Sequence, residues 1–305
     1  MLSRKTAVTF RWIFGGLVAA AVGAALWAWS WSAAASRRPA PQAPLSPLSL
    51  ADACGQMGAW AAQQIEGRGR VILRPPWVIA GDLGEAELDR RHRAVIAPVA
   101  EALMQRYFTT RPDRPICVLL LENEAGYRRT ARRSFGESDI SPYGYYRPHL
   151  RTLLVNAAQG DAPLVHELTH ALAAFDFPDA PDWLSEGLAS LYEQYRIDPR
   201  RHEIEGLVNR RLPLLKQALR GGRLRPLESL LGGHDFHGPQ QALNYARACY
   251  FCMFLERRGT LAEFYAQCRD GRRQDPCGEA AVVRLFGGRS WRQIDAEFQG
   301  FVMPL

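Results

Sequence analysis

The first 51 residues contain no aspartate or glutamate, and the whole chain holds only two lysines, Lys5 and Lys216. The missing acids leave Arg4, Lys5, Arg11, Arg37 and Arg38 uncompensated. They account for most of the net charge of +7, because the rest carries 33 basic residues (38 less these five) against 31 acidic ones. A remainder so close to neutral argues against a nucleic-acid binder, which needs a basic face on its folded part. The basic count is almost entirely arginine, which together with the alanine richness reflects genome composition rather than function. There is no internal repeat, which excludes solenoids and propellers. At 47% hydrophobic and 23% charged over 305 residues, the chain is neither disordered nor of low complexity.

Charge is also absent from residues 12–36, where the run IFGGLVAAAVGAALWAW is apolar throughout. About 20 residues of helix cross the hydrocarbon core of a bilayer, so the segment is long enough. Trp27, Trp29 and Trp31 sit near its end, where indoles favour the interface, and Arg4, Lys5 and Arg11 ahead of it favour a cytoplasmic N-terminus. The expectation is a single-pass anchor over 1–36 in a bacterial inner membrane. A cleaved signal peptide is the alternative, since Ala33, Ala34 and Ala35 offer small residues for cleavage. Pro39, Pro41, Pro44 and Pro47 make 37–50 an extended linker. The folded part, 51–305, would then lie in the periplasm or outside the cell. All six cysteines lie in it, consistent with an oxidising compartment, and Cys268 with Cys277 is the expected local bridge. Cys249 and Cys252 form a C-x-x-C inside the apolar run ARACYFCMFL, which marks them as buried structural thiols rather than a redox pair.

Hydrophobic periodicity divides 51–305 into an α/β part (51–175) and a helical part (176–305), an α+β arrangement with a small mixed sheet. Strands are expected in VILRPPWVIAG, ICVLLLEN and RTLLVNA, and 136–148 reads as a loop. Helices are expected over 54–65, 85–108 and 125–135, then 162–175, 183–195, 202–220, 239–258, 260–269, 278–286 and 290–302. Asp161 is the N-cap candidate for the first of this last series, and capping boxes pair Thr260 with Glu263 and Ser290 with Gln293.

Residues 166–170 read HELTH. His166 and His170, four apart, share one helical face and can share one metal ion. Glu167 projects beside them, placed to touch a metal-activated water without being a ligand. A catalytic zinc takes three protein ligands and keeps one open position. Glu186 in PDWLSEGLASLYE is the candidate third ligand, because the turn-rich FDFPDAPD lets the second helix fold back on the first. By composition, H-E-x-x-H arises by chance about 0.01 times in such a chain. The remaining histidines, His92, His149, His202, His234 and His237, have no metal spacing.

HELTH followed by WLSEGLASLYE resembles the gluzincin metallopeptidases, in particular the bacterial peptidase-MA-like envelope group. The resemblance implies a zincin-like fold, one Zn²⁺ held by His166, His170 and Glu186, and Glu167 as general base. It also implies a downstream-helix tyrosine that stabilises the oxyanion; Tyr245 in NYARACYFCMFLERRG occupies that place. Tyr143, Tyr145 and Tyr146 are further candidates to line the cleft. EGLAS is also similar to the E-G-F-A-S of a group of zinc aminopeptidases, but their G-x-M-E-N motif is absent, so aminopeptidase specificity is not carried over. The function expected is a membrane-tethered zinc peptidase acting on protein or peptide. A zinc-binding envelope scaffold without turnover and a zinc amidase acting on peptidoglycan are the alternatives.

Overall fold

The structure, a computed structural model, describes residues 48–305 apart from Glu66, Arg68, Pro199 and His234. The expected membrane segment and nearly all of the linker lie outside the described residues. Among the described residues no helix is long and apolar enough to cross a membrane.

Helix α1 (Leu50–Gln64), capped by Ser49, leads into an antiparallel hairpin of β1 (Arg70–Arg74) and β2 (Trp77–Gly81). Helices α2 (Glu85–Arg91) and α3 (Ala97–Arg106) follow, joined by a π-helical turn over His92–Ile96. This is the one helix expected over 85–108. Pro98, near the start of α3, has no N–H to donate to the preceding turn, and the helix widens there. Then come β3 (Ile116–Leu121), α4 (Glu124–Phe135), β4 (Gly144–Arg147) and β5 (Thr152–Asn156). The sheet order is β1-β2-β3-β5-β4, with β2, β3 and β5 parallel and the two outer strands antiparallel to their neighbours.

The central strands are buried along their whole length, which is why they read as unbroken apolar runs. Their side chains still alternate. Val78, Ala80, Cys117, Leu119 and Leu154 face α1 and α4, while Ile79, Val118, Leu120, Leu153 and Val155 face a larger core that includes α3. In that larger core lies α5 (Ala162–Asp176), the HELTH helix, with Leu164, Val165, Leu168, Ala171 and Leu172 buried. Asp161 precedes α5 but makes no side-chain cap; it pairs with Arg91 at 2.6 Å instead.

The second half is mostly helical: α6 (Asp182–Leu191), a hairpin of β6 (Tyr195–Asp198) and β7 (Glu203–Gly206), then α7 (Leu212–Arg220), α8 (Glu228–Leu231), α9 (Gln241–Arg257), α10 (Leu261–Gly271), α11 (Glu279–Leu285) and α12 (Trp291–Val302). Helix α9 is buried on every side from Ala246 to Glu256, which makes it the axis of this half. It packs closely on α6 at Gly187, where a Cβ would come within 2.8 Å of the Ala248 carbonyl oxygen.

Five further expectations are corrected. The loop expected over 136–148 contains β4, four residues too short to show alternation and held as a strand by pairing with β5. The helix expected over 202–220 begins only at Leu212, with Pro213 in its first turn, and Glu203–Gly206 pairs with Tyr195–Asp198, which also shortens the helix expected over 183–195. The capping box at Thr260 does not form, because its hydroxyl turns back to the Leu255 carbonyl, whereas the one at Ser290 does. No disulfide joins Cys268 to Cys277: all six thiols are free. The Cys268 sulfur lies buried against Gly278, on the inner side of its helix. Cys249 and Cys252 are fully buried, and desolvation raises both thiol pKa values, that of Cys249 to about 12.

Candidate metal centre and active site

The apolar residues of α5 face the core, so the helix presents His166 and His170 to a cleft of about 1480 Å³. Phe177 and Ala180 close the connecting turn through a 3.1 Å backbone bond, and α6 returns with Glu186 just past its first turn. Trp183, buried between Phe251 and Phe264 and donating to the Cys277 carbonyl at 2.9 Å, fixes the start of α6.

Three donor atoms converge. His166 Nε2 lies 3.1 Å from His170 Nε2 and 3.2 Å from Glu186 Oε2, and His170 Nε2 lies 3.4 Å from the same oxygen. These three residues are the metal-competent group among the described residues. Four ligands at ~2.0–2.1 Å around a tetrahedral ion stand about 3.3–3.4 Å apart, so the spacing fits a small cation such as zinc. The far ring nitrogens support the same conclusion. Glu193 Oε1 is 3.1 Å from His166 Nδ1, and Ser185 Oγ is 3.1 Å from His170 Nδ1. Neighbours there favour ring protons on Nδ1, which would leave the Nε2 lone pairs free for a cation. Glu186 Oε2 is a buried oxygen with no hydrogen bond, as a ligand waiting for a cation would be. Its 15% side-chain exposure does not fit an ordinary helix-start carboxylate on the surface.

The electrostatics of the centre follow from this crowding. Burial opposes a proton on His166, but Glu186 and Glu193 outweigh it and raise its pKa to about 10. Burial pushes Glu186 upward, and the two imidazoles more than reverse it, holding it far below the usual carboxylate range. Without a metal, the centre therefore neutralises itself with a proton that a cation would displace. Glu167 is 7% exposed, and burial raises its pKa despite the nearby imidazoles, which is the direction a general base requires. Its Cγ lies where β4 comes close: a Cβ on Gly144 would stand 3.3 Å away.

Tyr245, near the start of α9, lies at this centre, half-buried. Burial, then the Glu186 carboxylate, keeps its hydroxyl protonated well beyond neutral pH. The Arg211 guanidinium stacks over its ring at 5.3 Å from the centroid and also bonds Glu193. Tyr143, Tyr145 and Tyr146 all line the cleft, and the ring of Tyr145 also packs edge-on against Tyr127 and Phe135, on the α1 and α4 side. His237 sits beside Tyr245 and 3.4 Å from Asp182; His92 is half-buried elsewhere. Sequence reasoning missed Glu193, Ser185 and Arg211. Glu193 carried only a misleading signal: the helix expected over 183–195 would put it seven residues from Glu186 on one face, but α6 ends at Leu191 and Glu193 sits in the turn after it. Arg211 carried none.

Compared with known proteins, the chain matches no family model and no curated relative, so its functional reading rests on its own residues.

Proposed function

We propose that this chain is a zinc-dependent peptidase that hydrolyses peptide bonds with an activated water. The observation that carries the reading is the meeting of three potential ligand atoms, from His166, His170 and Glu186, beside a buried carboxylate, at the wall of a wide cleft. His166, His170 and Glu186 hold the ion, which supplies a Lewis acid that polarises the substrate carbonyl and acidifies water. Glu167 takes the proton from the attacking water and hands it to the leaving amine. The Tyr245 hydroxyl, which stays protonated, donates to the oxygen on which negative charge develops. A volume of 1480 Å³ exceeds what a small metabolite fills and suits a length of polypeptide. Strand β4, last in its sheet, lines this cleft and offers the backbone groups of its free edge to an extended substrate.

The test is metal analysis of the purified full-length protein, with hydrolysis of casein, quenched peptides and muropeptides. Near one zinc per chain is expected, lost in His166→Ala. Glu167→Gln should retain zinc and lose about 10²–10⁴ in rate, because glutamine keeps the shape but cannot accept a proton. Zinc without hydrolysis of any substrate would favour the scaffold alternative, and release of muropeptides alone the amidase.

We also propose that residues 1–36 tether the domain to the cytoplasmic membrane with its cleft facing outward. This rests on the charge pattern of that segment, since six free thiols lend no support. A reporter fused after residue 50 that works only in the cytoplasm would refute it.

A further inference from the structure

The carboxylates of the cleft, Glu167, Glu186 and Glu193, all stand at the metal centre, whereas one end of the cleft is cationic. The sheet creates that end. Strands β3 and β5 are parallel, with Cys117 opposite Thr152, so the residues entering the two strands lie side by side. Arg151 Nε donates to the Pro115 carbonyl at 3.1 Å, next to Arg114, and the Cys117 N–H donates to the Arg151 carbonyl. Tyr146 of β4, opposite Leu153, stands beside them. Both guanidinium charges reach its hydroxyl and partly offset the burial that pushes its pKa up to about 12.

Neither guanidinium is committed to a buried ion pair, although Arg151 Nε bonds the Pro115 carbonyl. Among the described residues, no carboxylate lies within ion-pair distance of Arg151. Arg114 meets only its exposed neighbour Asp113 at 3.4 Å, a surface pair of little worth, and otherwise rests over the Phe175 ring at 5.7 Å. The backbone of Arg151 is left-handed, at φ 49°, a conformation that glycine or asparagine adopts with less strain. An arginine kept there points to use of its side chain.

On this basis, and resting on the peptidase reading above, we propose that Arg114, Arg151 and Tyr146 form a carboxylate-binding subsite, so that preferred substrates are peptides with an acidic group near the cleaved bond. Its register follows from α5. From His170 to Phe175 the helix rises about 7.5 Å, which an extended peptide covers in about two residues. The acidic group therefore lies about two to three residues from the cleaved bond. It is a glutamate or aspartate side chain or the substrate's own C-terminal carboxylate.

Full-length protein would be assayed on matched quenched peptides bearing Glu or Gln two or three residues to either side of the cleaved bond. Each would be made with a free and an amidated C-terminus. Wild type should favour the carboxylate by about 10-fold in kcat/KM, through KM, as a partly exposed charged contact gives. In the Arg114→Gln/Arg151→Gln variant the ratio should collapse to near one, with zinc content and melting temperature checked. A preference that follows the free terminus rather than the side chain assigns the subsite to the α-carboxylate. Binding of the same peptides to Glu167→Gln, read by fluorescence anisotropy, should show the same preference without turnover. If wild type cleaves nothing yet binding retains the arginine-dependent preference, the peptidase reading fails and the subsite stands. Equal handling of acidic and neutral peptides by wild type, or a preference that survives loss of both arginines, overturns the subsite.

Discussion

Replacing Glu193 with glutamine removes the charge facing His166 Nδ1 at 3.1 Å while keeping the side chain's size. The carboxylate has three partners: it faces His166 Nδ1, where in the proposed zinc site it would keep the ring proton off the metal side, it neutralises Arg211, whose side chain is 14% exposed, and it lies 3.8 Å from the exposed Arg210. Loss of such an outer partner typically lowers metal affinity by about 10- to 100-fold, equivalent to about 1.4–2.7 kcal/mol of binding free energy. Ser185→Ala is the internal comparison. Its hydroxyl is a neutral partner of His170 Nδ1 at 3.1 Å, worth about 0.5–1.5 kcal/mol, and so only a several-fold loss. Glu193→Gln should also destabilise the metal-free protein, because Arg211 loses its counter-charge in a nearly buried place. Glutamine still accepts a hydrogen bond and Arg211 keeps its stacking on Tyr245, so the cost should be about 1–2 kcal/mol. The assay is zinc competition against a chelator of known affinity, with thermal melts of both metal-free proteins. Zinc affinity within two-fold of wild type in Glu193→Gln, in a protein of unchanged fold, would show that the carboxylate does not set the ring and would refute the reasoning.

Tyr245→Phe should keep zinc and lower turnover by about 10- to 1000-fold if the hydroxyl stabilises the oxyanion; an unchanged rate would reduce Tyr245 to packing. Asp176, its side chain fully buried, accepts from Thr109, from Thr110 and, at 2.9 Å, from Arg269. Burial alone would raise its pKa, but Arg269 and the threonines hold it below the usual value, so its stabilisation is present above the unfolded pKa of about 3.9 and fades as pH falls toward the lower folded value. Asp176→Asn should therefore cost about 2–3 kcal/mol at pH 7, or about 4–12 °C in Tm. That deficit should shrink below about pH 4; one that stays constant to pH 3 would exclude the linkage. Gly187→Ala places a methyl 2.7 Å from Cys252 Sγ and 2.8 Å from the Ala248 carbonyl. It should destabilise the fold by about 1–3 kcal/mol and weaken zinc binding by displacing Glu186, which titration and melting read separately.

The sequence by itself determined the pieces that local periodicity encodes. HELTH places two imidazoles on one helical face whatever lies around it, and the unbroken apolar runs of β2, β3 and β5 announce strands buried on both sides. What depends on a second segment stayed hidden, even where that segment is only four residues away. The four residues of β4 are a strand only because β5 lies beside them, and β6 and β7 exist only as a pair. Cys268 turns inward because the helix that carries it packs by that face, which no count of cysteines reveals. Arg211 reaches Glu193 and Tyr245, and Arg114 meets Arg151, only once strands and helices far apart in sequence are brought together. Helical and strand periods are properties of a single segment and can be read along it. Charge partners, ring stacking and edge pairing are properties of two segments at once, and packing alone decides which two meet.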